Sequence, residues 1–304
     1  MNFTTTYLRY TWFVLVMVFL VILAGGVVRM TQSGMGCPDW PTCFGRWIPP
    51  TNASQLPPDF EKYLRTQDID HTFNPYHTWI EYINRLLGAL LGIFILIHTI
   101  WSYRKYWDNR RDLFYLSFLM LVAVGFQGWL GKRVVDANLA TVKVTTHMLV
   151  ALAIAALPII IIARIRRERV ITGKLMKAVC GITLFLVLFQ IVLGTQVREH
   201  IDEIAANLKY GQRELWIERL GQDFYIHRSF SWIVLAACAW LGWMTFRIPA
   251  LRKHSIVTLT LVVCTLLLGL AMNFLEVPAL AQPLHLLTAT ILAITLFSFR
   301  LQMK

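Results

Sequence analysis

The chain has 304 residues, 57% of them apolar and only 15% charged, with a formal net charge of +12. A soluble domain of this length could not bury so much apolar surface, and repeated apolar runs of about 18 residues or more mark membrane-spanning helices. The basic residues fall between apolar runs and build no basic-aromatic platform, so the charge argues for membrane topology and against nucleic acid.

In chain order the apolar runs are 10–28, 79–101, 113–130, 142–163, 175–197, 224–246, 256–274 and 283–299. Each can cross ~30 Å of hydrocarbon as a helix at about 1.5 Å per residue. The runs are continuous rather than alternating, which favours helices over a barrel. The first run reads as a retained helix, since its basic start is thin and its Gly25-Gly26 end recurs later. Basic residues concentrate at Arg9, 104–111, 164–177, 247–253, Arg300 and Lys304, whereas 275–282 carries none. By the positive-inside rule both termini are cytoplasmic, and the long loops 30–78 and 198–223 lie outside. Cys180, Cys238 and Cys264 sit in apolar runs and read as packing residues, while Cys37 and Cys43 lie in the polar first loop. Trp40, Trp47, Trp79 and Trp129 read as an outer interfacial belt.

The odd-numbered runs end outside with Gly25, Gly131, Gly194 and Gly269, each followed four positions later by Arg29, Val135, Arg198 or Asn273. The second run opens Glu81-Tyr82-Ile83-Asn84-Arg85 and the sixth Phe224-Tyr225-Ile226-His227-Arg228. His147 and His285 each lie sixteen residues after a glycine, Gly131 and Gly269. The chain therefore reads as all-α and polytopic, with eight transmembrane helices forming two parallel-repeat four-helix bundles. Residues 1–170 form the half with the cysteine-bearing loop, and 171–304 form the second.

His227 and His285 fall at equivalent depths on alternate helices, where two imidazoles can grip heme iron from both faces. Arg228 can pair with a propionate near the outer surface. The plainer alternative is two buried histidines bonded to carbonyls, against which their recurrence at repeat-related positions argues. In the first half Asn84 stands where His227 stands, leaving His147 as the obvious iron ligand. Asn84 is a poor ligand, so the opposite face of a first-half heme would be five-coordinate or water-bound. Glu81 lies three and four residues before Asn84 and Arg85, hence on the same side of its helix. It reads either as a catalytic carboxylate, moving protons or stabilising positive charge, or as the structural ion-pair partner of Arg85. His71, His77 and His200 read as loop or helix-entrance residues, His254 as an inner-loop residue, and His98 as too far from the outer layer to bind iron.

The segment Gly25-Gly26-Val27-Val28-Arg29-Met30-Thr31-Gln32-Ser33-Gly34-Met35-Gly36-Cys37-Pro38-Asp39-Trp40-Pro41 is similar to the signature of the heme A synthase family. The resemblance extends over essentially the whole chain. It implies oxidation of the C8 methyl group of heme O to a formyl group, making heme A for terminal oxidases in the cell (inner) membrane. It also implies a heme b cofactor on His227 and His285, and heme O as substrate in the first half with His147, Arg85 and Asn84 around it. A catalytic role for Glu81 and redox sensitivity of Cys37 and Cys43 come with it. The cysteines, close together in an outer loop, are expected to form a disulfide, either reversible or a static staple. The family's usual pattern has histidine where this chain has Asn84. Beyond heme O and membrane lipid, the partners expected are an electron donor, a heme O-forming enzyme that could dock, and a second copy of the chain. The competing readings are a b-type electron carrier or quinol-linked oxidoreductase, and a heme transporter.

Overall fold

Within a bilayer core no water can pair with the peptide groups, so apolar runs of this length satisfy them internally as helices. The computed structural model describes residues 3–61, 73–137 and 139–304. Its helices are α1 (Phe3–Met30), α2 (Pro75–Tyr106), α3 (Arg111–Asp136), α4 (Thr141–Arg166), α5 (Lys174–Asn207), the short α6 (Glu214–Glu218), α7 (Gln222–Thr245), α8 (Pro249–Phe274) and α9 (Ala281–Gln302). All but α6 are long and apolar enough to cross a membrane. The chain is an integral membrane protein.

The helices outrun the apolar runs because backbone pairing continues into polar sequence wherever something packs or caps it. α2 begins at Pro75, where the Asn74 side chain accepts from the N–H groups of Tyr76 (3.0 Å) and His77 (3.4 Å). α5 runs on to Asn207, so 198–207, expected in a loop, is helical. Val197, Ile201 and Ala205, spaced four apart, bury that extension against Trp216, Leu220 and Val277. α8 likewise starts at Pro249, which corrects the placement of His254 in a loop. That residue lies in the second turn of α8, with its ring 5.2 Å from Phe299. His71 lies outside the described residues.

The chain separates into two compact units, Met1–Leu157 and Pro158–Lys304, with the boundary at Pro158 inside α4. In the first, α2 packs against α1 and α3, while Gln127 of α3 donates to the His147 carbonyl of α4 at 2.9 Å. Far along α1 and α2 from the cysteine loop, Thr11 hydrogen-bonds His98 Nε2 (3.0 Å), and the Tyr10 hydroxyl donates to the Phe94 carbonyl (3.0 Å). His98 is wholly buried there. In the second unit α5 packs on α7, α7 on α8, α8 on α9 and α9 on α5, closing a four-helix bundle.

Candidate functional site

Three hairpins pair a glycine with the imidazole of the following span. A Cβ on Gly131 would lie 3.4 Å from His147 Cε1, one on Gly194 3.1 Å from His227 Cε1, and one on Gly269 3.4 Å from His285 Cε1. The glycines leave room for the rings at the helix contact. Gln190 of α5 donates to the His227 carbonyl at 2.9 Å, as Gln127 does to that of His147. Both glutamines stand four residues before the hairpin's glycine. Neither is among the site residues expected from the sequence, although this recurring spacing is the signal that could have found them.

In the second unit the rings of His227 and His285 have centroids 6.5 Å apart at 66°. A first-row metal–imidazole bond is about 2 Å, so two imidazoles binding one metal from opposite faces have ring centres about 6 Å apart. The spacing of the two rings is therefore that of imidazoles sharing one heme iron. His285 Nδ1 donates to the Thr265 carbonyl (2.9 Å), which leaves its Nε2 lone pair for a metal. His227 Nδ1 is buried without a partner among the described residues. No group of three or more His, Cys, Asp or Glu among the described residues could hold a bare metal ion. A porphyrin needs only axial ligands from the protein. Arg228 is exposed, its guanidinium 5.6 Å and 5.2 Å from the ring centres of Phe224 and Tyr225.

The first unit carries a different device. Cys37 and Cys43 form a disulfide with both residues 0% exposed, in a small core with Phe44, Leu56, Phe73 and Tyr82. The loop around them sits on the first turns of α2. Gly36 makes the closest approach, since a Cβ there would lie 2.4 Å from the His77 carbonyl oxygen. The Thr78 hydroxyl donates to the Gly36 carbonyl (2.9 Å), Tyr82 to that of Trp47 (2.6 Å) and Trp79 to that of Pro50 (3.3 Å). Inside the loop the Asp39 carboxylate accepts from the Phe44 and Gly45 N–H groups (2.6 and 2.9 Å) and from the Thr42 hydroxyl.

Glu81, 4% exposed, ties loop to helix. Its Oε2 accepts from the Cys37 N–H at 2.7 Å, and its Oε1 from Arg85 Nε at 3.1 Å and from Nη2. Arg85 spends its remaining donors on the carbonyls of Asp39 (2.6 Å), Thr42 (3.1 Å) and Cys37 (2.7 Å). A guanidinium has five N–H donors, and all five are engaged within the protein. The structure thus brings Glu81, Arg85, Cys37 and Cys43 into one assembly. Asn84 lies beside it on α2, its Oδ1 buried and without a partner among the described residues. His200 lies in α5, its Nδ1 3.3 Å from Asp223, and His77 in the first turn of α2.

The family model COX15-CtaA, cytochrome oxidase assembly protein, matches residues 8–297. Among curated proteins, the heme A synthase of Shewanella oneidensis is 29% identical over 62% of this chain and 56% of its own length. That of Orientia tsutsugamushi is 27% identical over 93% and 92%, and that of Beijerinckia indica 26% over 90% and 86%. The alignment with the Shewanella protein spans a little over half of that relative.

Proposed function

The chain belongs to the COX15-CtaA family of cytochrome oxidase assembly proteins, and on that premise we propose that it is a heme A synthase, converting the C8 methyl group of heme O to a formyl group. The observation that carries this reading is the imidazole pair of His227 and His285, spaced to fit one iron and backed by Gly194 and Gly269. We assign a heme b to that pair and heme O to the first unit, with His147 as its axial ligand. A bound heme b supplies a one-electron redox centre. Arg228, exposed near the outer end of α7, is the partner for a propionate.

The residues of the first unit hold and orient. Arg85 has no donor left for a propionate, so its part is to fix the disulfide loop and Glu81 together. Glu81 is then a preorganised negative partner for positive charge developing at the substrate's methyl carbon. The buried Cys37–Cys43 bond acts as a staple that keeps the Cys37 N–H on Glu81. Both termini are cytoplasmic, the cysteine loop lies on the outer side of the cell membrane, and the substrate arrives from a heme O-forming enzyme.

The test is pigment extraction from membranes expressing the chain beside a heme O-forming activity. Appearance of heme A is the expected result. Unchanged heme O with protein-bound heme b would instead select a b-type electron carrier, and heme flux across the membrane a transporter.

A further inference from the structure

The α1–α2 hairpin departs from the other three in a way that defines a small-ligand site. Thr11 and His98 meet directly, at 3.0 Å, across these antiparallel helices. Gly25 lies fourteen residues beyond Thr11, and Asn84 fourteen residues before His98. Fourteen residues are close to four turns at about 3.6 per turn, so Gly25 and Asn84 share the faces that bring Thr11 and His98 together. By this register Gly25 and Asn84 correspond to Gly194 and His227 of the second unit.

What fills the space differs. In the other hairpins the glycine meets the Cε1 edge of an imidazole at 3.1 to 3.4 Å, whereas a Cβ on Gly25 would meet nothing within 4 Å. Asn84 matches a histidine only as far as its amide and lacks the outer two ring atoms, the edge that carries the metal-binding nitrogen. Its Oδ1 is nonetheless buried and unpartnered among the described residues, a costly arrangement unless a donor is supplied. The second and fourth spans of the second unit carry the iron-binding pair, and Asn84 and His147 occupy those spans of the first.

We propose that Asn84 and Gly25 form a site for an exogenous ligand of one or two heavy atoms. It binds heme iron opposite His147, under the Asn84 amide. Water is the resting ligand, its O–H donating to Asn84 Oδ1, and any diatomic ligand of heme iron can replace it. A second imidazole from the protein is excluded there. This rests on the assignment of a heme to the first unit.

The probes are cyanide on the ferric and carbon monoxide on the ferrous purified holoprotein. One heme of two should take up either probe while the low-spin signal of the His227–His285 heme persists. Asn84→His should abolish that uptake and add a second low-spin signal. Asn84→Ala should keep uptake, with roughly fivefold tighter cyanide binding, because cyanide carries no donor for Asn84 Oδ1 and in this variant no longer displaces a water hydrogen-bonded to it. Two low-spin hemes in the unsubstituted protein, neither accepting a probe, would overturn the proposal and leave the heme A synthase reading intact. Equal cyanide affinity in Asn84→Ala would overturn the amide's part. A protein that holds only the second-unit heme under saturating heme O would overturn the first-unit assignment itself.

Discussion

Arg85 and Arg228 follow the same Tyr-Ile-x motif, yet the protein uses them differently. Arg85 has one acidic partner and three loop carbonyls, and Arg228 two aromatic faces. The planar fork of arginine matters here, because a lysine has only three donors radiating from one atom. Arg85→Lys should leave at least one buried carbonyl and part of Glu81 unpaired, at about 1–3 kcal/mol for each lost partner. A lower melting temperature and reduced heme A yield, with the low-spin heme signal unchanged, is the expected outcome. Glu81→Gln removes the charge and keeps one acceptor, which can serve the Cys37 N–H or Arg85 but not both. Heme content should be retained while heme A formation is lost, and loss of heme content in that variant would make Glu81 purely structural. The carboxylate–arginine spacing is legible in the sequence. The loop carbonyls that complete it are not, since every residue carries one and no residue type announces it.

At the scale of the element, the hairpin explains why glycine recurs beside histidine. Gly194→Ala would press a methyl group against the His227 ring, already 3.1 Å from that position. The low-spin spectrum should shift or split in this variant. His227→Ala or His285→Ala should abolish it, and His147→Ala should leave it in place. The glycine and histidine spacings are readable from the chain itself, because helical register and the step of sixteen residues are properties of sequence alone. Gln127 and Gln190 are not, because a polar residue in an apolar run has many partners open to it until the neighbouring helix is placed. The polar end of α5 escapes a hydropathy reading for a related reason: hydropathy marks the hydrocarbon depth and stays silent about what packs beyond it.

The cysteine loop behaves as an element too. A bond closing so short a loop is worth about 2 kcal/mol by the chain-entropy relation. Both cysteines are buried, so thiolate attack needs the loop to open first. The disulfide should therefore resist mild reductant in the folded protein, as followed by mass mapping after thiol trapping. The Cys37→Ser/Cys43→Ser variant should lose stability and heme A yield in reducing and oxidising media alike. Turnover of the unsubstituted protein that rises and falls with the redox state of the medium, and a double-serine variant with full turnover in both media, would show a reversible switch instead of a staple.

For the whole molecule, the proposed orientation, with both chain ends in the cytoplasm and the loop outside, rests on the distribution of basic residues. Trp47 is 72% exposed in that loop, so Trp47→Cys offers a clean marker. An impermeant maleimide should label it in intact cells, and labelling only after permeabilisation would invert the topology. Fold class and membrane character can be read from the apolar runs, since the bilayer permits few alternatives. The proposed division of labour between the units can be read there only in outline, because it depends on which side chains each hairpin contributes.

On the proposed function, one half holds a resident heme on paired histidines while the other presents heme O for oxidation. This assignment is tested most directly by single turnover in detergent. Purified protein carrying heme b is mixed with stoichiometric heme O, a reductant and air, and the extracted pigments are separated and weighed by mass spectrometry. The expected result is heme A derived from the added heme O, with heme b recovered unchanged. Recovery of heme O intact from protein that has bound it, under conditions where a related heme A synthase converts it, would overturn that assignment.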